Sequence, residues 1–356
     1  MREIKIDILE SCEIDAHLDR HFSEFIKESD NGTIFHTVGW NQIVQRIFQT
    51  RLYFLLSRNK ETLLGFMPVH LIRIDSRRVN AYSPPGSYEV PYGGPVFRKG
   101  LSYEDCSNIL NVFLDATARI GKGISIHLHT SPNSALIGNT YSKDSRICET
   151  GLVFLEPSLD DIWMGLQTMR RRNVRKAKKN DVVLQWGGCE LLDHYYPMVQ
   201  ELSRKTGIAM QPKSYYHSVL SHFSPHDEAR LYLTQYKGEY LSGGIFLRFG
   251  KKGYYWHGAA YAHAERLGQN ELIHWSVIEW LKKSGCSIYD MVVIERDRLP
   301  DIAFFKMGFV REIVPYEYIC FAPFKNKIYR GIHYLRSPSD MSKYLSGIFG
   351  RSTRSQ

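Results

Sequence analysis

Two stretches that read alike decide the fold: RLYFLLSRNKETLLGFMPVHLI at 51–72 and RLYLTQYKGEYLSGGIFLRF at 230–249. Each places β-prone residues on both sides of a polar turn, Arg58 to Thr62 in the first and Lys237 to Glu239 in the second, which is the pattern of a β-hairpin. Slid against itself by 179 positions, the chain aligns Arg51, Leu52, Tyr53 and Gly65 with Arg230, Leu231, Tyr232 and Gly244 without a gap. A glycine inside the second strand of each hairpin predicts a bulge or a close backbone approach.

The parallel continues outward from the hairpins. Trp40, Ile43, Val44, Ile47 and Phe48 recur at helical spacing before the first, as do Tyr215, Val219, Leu220 and Phe223 before the second. Downstream, Ile109, Phe113, Ala116 and Ile120 form one apolar stripe, and Ile273, Val277, Trp280 and Leu281 another. Each of these helices ends near glycine, at Gly121 to Gly123 and at Gly285, and runs into a short strand, GISIHLH or CSIYDMVV. Helix, hairpin, helix, strand, twice over, predicts an α+β or α/β chain of two subdomains related by internal duplication, each a mixed sheet flanked by helices. A length of 356 residues agrees with two domains rather than one core. The boundaries expected are 1–152 and 153–317, with a basic tail over 336–356. Between the halves, Ile162, Trp163, Leu166 and Met169 mark one face of a long helix that starts near Leu159 and continues into the most basic stretch of the chain.

That stretch, RRRNVRKAKK at Arg170 to Lys179, holds seven cations and no acid. Ala322 to Gln356 holds seven more against Asp340 alone, so of the formal net charge of +9 the two segments contribute +7 and +6 and the remainder is −4. Basicity confined in this way suits an anionic partner: a nucleic acid, a nucleotide-linked substrate or an acidic membrane face. With 43% hydrophobic and 23% charged residues, disorder and a disulfide scaffold are excluded. Cys12, Cys106, Cys148, Cys189, Cys286 and Cys320 are never closer than 34 positions, so no CxxC metal knuckle or redox pair exists, and a reducing cytoplasm fits best. The N-terminal MREIKIDILESCEID interleaves charge with apolar residues, and no run approaches the ~20 residues that span a bilayer, so neither export nor membrane insertion is expected. His127 and His129 share a strand face, but no third ligand accompanies them and no metal site is expected.

Eight motifs in order make the chain resemble the FemAB-like branch of the GNAT acyltransferase superfamily: FHTVGW, PYGGPVF, MRRRNVRKAKKN, SRKTGIAMQPKSYY, GGIFLRFGKKGYYWHGA, QNELIHWSVIEW, SIYD and FFKMGF, from Phe35 to Phe309. The resemblance implies two tandem GNAT-like subdomains, with a C-terminal segment of about 318–335 returning to the first. It also implies transfer of an aminoacyl group from a charged tRNA, or another acyl group from a CoA thioester, to an amine of a bacterial envelope precursor or related metabolite. Such proteins hold no tightly bound cofactor. They act in the cytoplasm, several beside the membrane, so the tail is a candidate for peripheral contact with anionic lipid.

Phe305 and Lys306 match the family's Phe-Lys pair, whose lysine stabilises the oxyanion of the tetrahedral intermediate; a cation in a dry cleft suits that task. Arg170, Arg171, Arg172, Arg175 and Lys176 match its basic entry to the second subdomain, where arginine forks suit donor or substrate phosphates. Arg204, Lys205 and Tyr216 match its Arg-rich turn, and His36 and Trp40 a motif lining the acceptor pocket. Tyr92 and Gly93 belong to a turn whose amides are candidates to face substrate, and Tyr255 and Asp290 to strands near the cleft. Several positions depart from the pattern. Phe304 stands where acetyl-CoA enzymes carry a tyrosine acid, and Val38 where relatives carry a lysine. Phe97 and Arg98 stand where some relatives have an acid, and Val292 and Val293 replace glycines that often follow the aspartate. The Arg266-Leu267-Gly268-Gln269-Asn270 run lacks the spacing of the loop that grips CoA pyrophosphate, and Asn270 reads as a helix N-cap. Two further readings stay open: a standard acetyl-CoA N-acetyltransferase, and a non-catalytic protein on this fold that binds RNA or anionic membrane.

Overall fold

The computed structural model describes residues 4–73, 79–85, 90–121, 126–132, 145–207 and 209–321. Residues 322–335 and the basic tail expected over 336–356 lie outside the described residues. In chain order the elements are β1 (Lys5–Glu10), α1 (Ala16–Glu28), α2 (Val38–Phe48), β2 (Arg51–Asn59), β3 (Thr62–Arg73), β4 (Val79–Ser83), β5 (Val96–Phe97), α3 (Tyr103–Ile120), β6 (Ile126–His129) and β7 (Ser145–Phe154). The second half supplies α4 (Leu159–Gly165), α5 (Thr168–Lys179), β8 (Val183–Gly187), α6 (Leu192–Thr206), α7 (Lys213–Phe223), β9 (Ala229–Tyr236), β10 (Glu239–Phe249), β11 (Lys252–Ala260), α8 (Gln269–Lys283), β12 (Ile288–Ile294), α9 (Pro300–Met307) and β13 (Glu312–Phe321).

The duplication is present in element order. The series α2, β2, β3, β4, α3, β6 is repeated as α7, β9, β10, β11, α8, β12, and in each series the last strand lies parallel to the third, joined to it through the crossover helix. The hairpins match in shape but not in the register of their coincident letters. Asn59 faces Thr62 at the first turn and Tyr236 faces Glu239 at the second, so matching turn to turn displaces the second hairpin by 177 positions. Gly65 therefore corresponds to Ser242, and the identities at 179 fall two residues out of register. Both glycines do adjoin irregularities: a register shift at Ser57/Arg58 beside Gly65, and one at Ile245/Phe246 beside Gly244.

The halves share one sheet of 13 strands, ordered β1-β2-β3-β4-β6-β13-β7-β12-β11-β10-β9-β8, with β5 beside β3. After β6 the chain crosses to pair β7 with β12, and after β12 it crosses back to pair β13 with β6, while β7 and β13 run antiparallel at the centre. Of the segment expected to return over 318–335, the described residues Tyr318 to Phe321 pair with His129 to Ile126. A common apolar core reinforces this exchange. Phe35, Trp40 and Tyr92 from the first half pack with Tyr215, Tyr216, Tyr254 and Trp256 from the second. Separate cores lie under α3 and under α8.

The long helix expected from Leu159 is two helices. Leu166, between α4 and α5, is extended (φ −66°, ψ 149°), because Gln167 N donates to the Gly308 carbonyl at 3.1 Å and the Leu166 side chain is drawn into the α8 core. Arg171 closes the break by donating to the carbonyls of Met164 and Leu166. Asn270 is not the N-cap of α8: Gly268 caps it, with φ 86°, a backbone angle that glycine adopts without a Cβ penalty. Among the described residues no helix is long and apolar enough to cross a membrane.

Candidate active site

The site is built where the second half opens. β11 and β12 are paired only from Lys252 to Tyr254 against Ile288 to Asp290, and beyond that point they part. β12 bulges against β7 between Asp290 and Val293, with Val292 at φ 57°. For a β-branched residue this backbone is strained and persists only because its surroundings over-determine it. The Asp290 carboxylate is what holds it. Oδ1 accepts from Val292 N at 2.7 Å and from the Thr150 hydroxyl of β7, and Oδ2 accepts from the Tyr92 hydroxyl at 2.9 Å. Residues 198 positions apart are thus joined at the junction of the halves. Asp290 is 4% exposed, and burial raises its carboxyl pKa against the three hydrogen bonds and the charge of Lys306.

Lys306, in the last turn of α9, points into this opening and is 8% exposed, unlike a surface lysine on a turn. Its Nζ donates to the Val293 carbonyl at 2.8 Å and stands 5.3 Å from the centre of the Tyr255 ring. Burial lowers the ammonium pKa to about 8, while Asp290 and Glu295 support the charged form. Glu295 was not distinguished in the sequence. Among the described residues its Oε2 is buried without a hydrogen-bond partner, and its ion-pair contact is Arg298 at 3.7 Å. Burial raises its carboxyl pKa, opposed by Arg146 and Lys306. No ion pair within 4.0 Å joins Lys306 to either carboxylate among the described residues. An ammonium supported by two nearby carboxylates without a closed ion pair suits a polar group that enters from outside.

Several residues expected to meet substrate are buried and make contacts within the fold. Tyr92 and Asp290 satisfy each other as the floor of the junction. Gly93 N donates to the His129 carbonyl at 2.9 Å, so this amide of the turn faces inward. His36 is fully buried and capped locally, its Nδ1 2.8 Å from the Thr33 hydroxyl, and burial pushes its imidazole down to about 4. Trp40 belongs to the shared core, edge-on to Phe35 at 4.8 Å and to Trp256 at 5.2 Å. Tyr216 is buried beside His257. Phe305 does not face the opening; it packs on His274 and Phe309 under α8. Tyr255 is the aromatic residue of the candidate set that does meet Lys306, and burial pushes its phenol up to about 12. Arg204 and Lys205 are exposed at the C-terminus of α6, where Arg204 borders a surface groove of about 440 Å³ with Tyr196, Gln200 and Met210.

The basic helix divides by face. Arg170 lies on the apolar stripe of Val174 and Ala177 and is 4% exposed, ion-paired to Glu271 at 2.9 Å, so it is not available to a phosphate. Arg171 is occupied by the α4–α5 break. Arg172, Arg175, Lys176, Lys178 and Lys179 are exposed, with Arg175 over the Trp163 ring and Lys176 donating to the Arg266 carbonyl. The N-terminus of α8, where an acetyl-CoA enzyme holds pyrophosphate, is filled from within. Glu271 in its first turn accepts from Arg170 and from Asn173 Nδ2, and a Cβ on Gly268 would lie 2.1 Å from the Asn173 carbonyl oxygen. Among the described residues no group of three ligating side chains could hold a metal.

This arrangement, two helix-crossed halves fused into one sheet through exchanged strands, has the fold of tandem GNAT proteins. Residues 167–298 match the family described as acetyltransferase (GNAT) domain. The fold is similar to that of FemX in its crystal structure, with a TM-score of 0.69 at 13% identity, covering 92% of this chain and 99% of that one. It is also similar to a tandem GNAT protein from the clavulanic acid biosynthesis pathway, with a TM-score of 0.55 at 10% identity over 91% of this chain and 100% of the other. In sequence, 134 residues are 28% identical to the UDP-N-acetylmuramoylpentapeptide-lysine N(6)-alanyltransferase of Weissella viridescens, covering 36% of this chain and 38% of that protein. The chain thus carries a GNAT-type domain over residues 167–298 within a FemX-like fold.

Proposed function

We propose that this protein transfers an aminoacyl group from a charged tRNA to an amine of a cell-envelope precursor in the cytoplasm, by direct attack at a site centred on Lys306. The observation that carries the reading is the buried ammonium of Lys306 where β11 and β12 part, flanked by Asp290 and Glu295 without a closed ion pair. The acceptor nitrogen attacks the carbonyl carbon of the aminoacyl ester, a C–N bond forms, and the ester C–O bond breaks with the electron pair leaving on the tRNA ribose oxygen. The nitrogen loses its proton as the ribose oxygen gains one. Negative charge on the carbonyl oxygen between these steps is met by Lys306, and loss of one such donor typically lowers kcat about 10²- to 10³-fold. The exposed cations of α5 supply phosphate contacts for the donor.

A CoA thioester is the second donor considered, because the matched family is described as an acetyltransferase. The filled α8 N-terminus favours tRNA over CoA. A lysine-bearing UDP-muramoyl peptide is the first acceptor to test, by analogy with the Weissella enzyme. The test follows radiolabelled amino acid from charged tRNA into the acceptor with the wild-type protein and Lys306→Ala. The reading predicts transfer by the wild type and its loss in the variant, with donor and acceptor binding retained. Full activity in Lys306→Ala would refute the mechanism; transfer from an acyl-CoA alone would replace the donor, and salt-sensitive RNA or lipid binding without transfer would replace the enzyme.

A further inference from the structure

We propose that Arg170 is the positioning residue that places Lys306 in the site, acting through α9. The inference rests on the reading of Lys306 as the group that meets the oxyanion. Helix α9 has eight residues, too few to hold its own shape in water, and among its side chains only Ala303 and Lys306 are buried. Ile302 and Phe304 are 42% and 59% exposed, and burying an ammonium opposes docking rather than driving it. Apolar packing by α9 therefore rests on Ala303 and the half-buried Phe305 ring, a small anchor for a residue whose reach must be accurate.

Arg170 supplies that anchor from α5. Its Nη2 donates to the Phe304 carbonyl at 3.1 Å, where the end of a helix carries partial negative charge. Its guanidinium carbon stands 4.8 Å from the Phe305 ring centre, 5.4 Å from that of Phe304 and 5.9 Å from that of Phe309. Nη1 donates to Glu271 of α8, which also accepts from Asn173 Nδ2 at 2.7 Å, so the guanidinium plane is fixed from two helices. Gly308 makes room: a Cβ there would lie 2.2 Å from Arg170 Nε. The backbone completes the clamp through Gln167 N to the Gly308 carbonyl, two residues beyond Lys306. Arg170 touches no reacting atom. A lysine in its place would carry the charge but neither the two-pronged donation nor the flat stacking surface.

The test uses Arg170→Lys and the pair Arg170→Met with Glu271→Met, which leaves neither charge orphaned. The charged and titratable groups around Lys306 are Asp290 of β12 and Glu295 just beyond its end, Tyr255 of β11, His274 of α8 and Arg170 itself. Lysine labelled at its ε carbon reports the Lys306 titration by NMR, the signal being identified by its absence in Lys306→Met. In the wild type the midpoint lies near 8. In both Arg170 variants it rises by about one pH unit or more, because the released ammonium gains water. In the transfer assay kcat falls about 10²-fold with KM nearly unchanged. If the paired variant fails to fold, Gly308→Ala displaces the Arg170 side chain by a separate route and predicts the same two changes. A folded variant of lower Tm whose Lys306 midpoint and kcat match the wild type would overturn the proposal, leaving Arg170 a purely structural residue. If the wild type transfers nothing, the functional reading falls while the titration still decides whether Arg170 places Lys306.

Discussion

Replacing Lys306 with methionine separates what the ammonium does for catalysis from what its burial does to the fold. Its pKa falls from 10.5 to about 8 on folding, which corresponds to about 3 kcal/mol of penalty for burying the charged form. At pH 7 both folded and unfolded chains carry the proton, so the penalty is present in full. Between about 8 and 10.5 the unfolded chain binds more protons than the folded one, and wild-type stability rises with pH; above the unfolded value the penalty is gone. Methionine keeps most of the volume, has no charge to desolvate, and forfeits the hydrogen bond to the Val293 carbonyl, worth about 1 kcal/mol. The variant is therefore expected to be more stable than the wild type at pH 7 by about 2 kcal/mol, with the advantage shrinking by pH 10. Urea unfolding at the two pH values measures this. Lys252, whose pKa is also lowered to about 8, titrates alike in both proteins and cancels in the difference. A variant less stable at pH 7, or an advantage that does not change with pH, would show that Lys306 is not held as a desolvated cation.

The pH profile of transfer provides a second test: activity falls as pH rises through about 8, because Lys306 loses the proton that meets the oxyanion, and the falling limb disappears in Lys306→Arg if that variant turns over. Changing the exposed Arg172, Arg175, Lys178 and Lys179 to glutamine weakens donor binding and lowers the slope of log Kd against log salt by about 3, read by fluorescence anisotropy, while the melting temperature stays close to that of the wild type. Trp40→Ala opens the core shared by the halves and destabilises by about 3–5 kcal/mol. Because that core spans both halves, near-ultraviolet and far-ultraviolet signals should lose structure together; separate transitions would mean that the halves fold independently.

Much of the architecture was legible because helices and strands announce themselves through local spacing. The stripes at Trp40 to Phe48 and Tyr215 to Phe223, the hairpins, and the glycine-ended crossover helices all stand where periodicity puts them. The four identical letters were a weaker guide than the order of elements, since hairpin register is set by the turn and the bulges rather than by side-chain identity. The α4–α5 break had no strong local signal, because it depends on Gln167 meeting the backbone of Gly308 far along the chain. One signal for Arg170 was available: it shares helical spacing with Val174 and Ala177, which places it on the apolar face of an otherwise cationic helix.

The sequence by itself determined the order of elements and the confinement of positive charge, since each is read from residues near one another in the chain, and Lys306 became a candidate through the family resemblance of its Phe-Lys motif. Only the tertiary structure decided which candidates face the opening. Tyr92 and Asp290 bind each other across the junction, His36 and Trp40 are sealed in the shared core, and Arg170 turns inward while its neighbours face water. The physical reason is desolvation. Whether a polar side chain meets a ligand or a partner within the fold depends on what burial brings beside it, and here those partners come from elements that are distant in sequence.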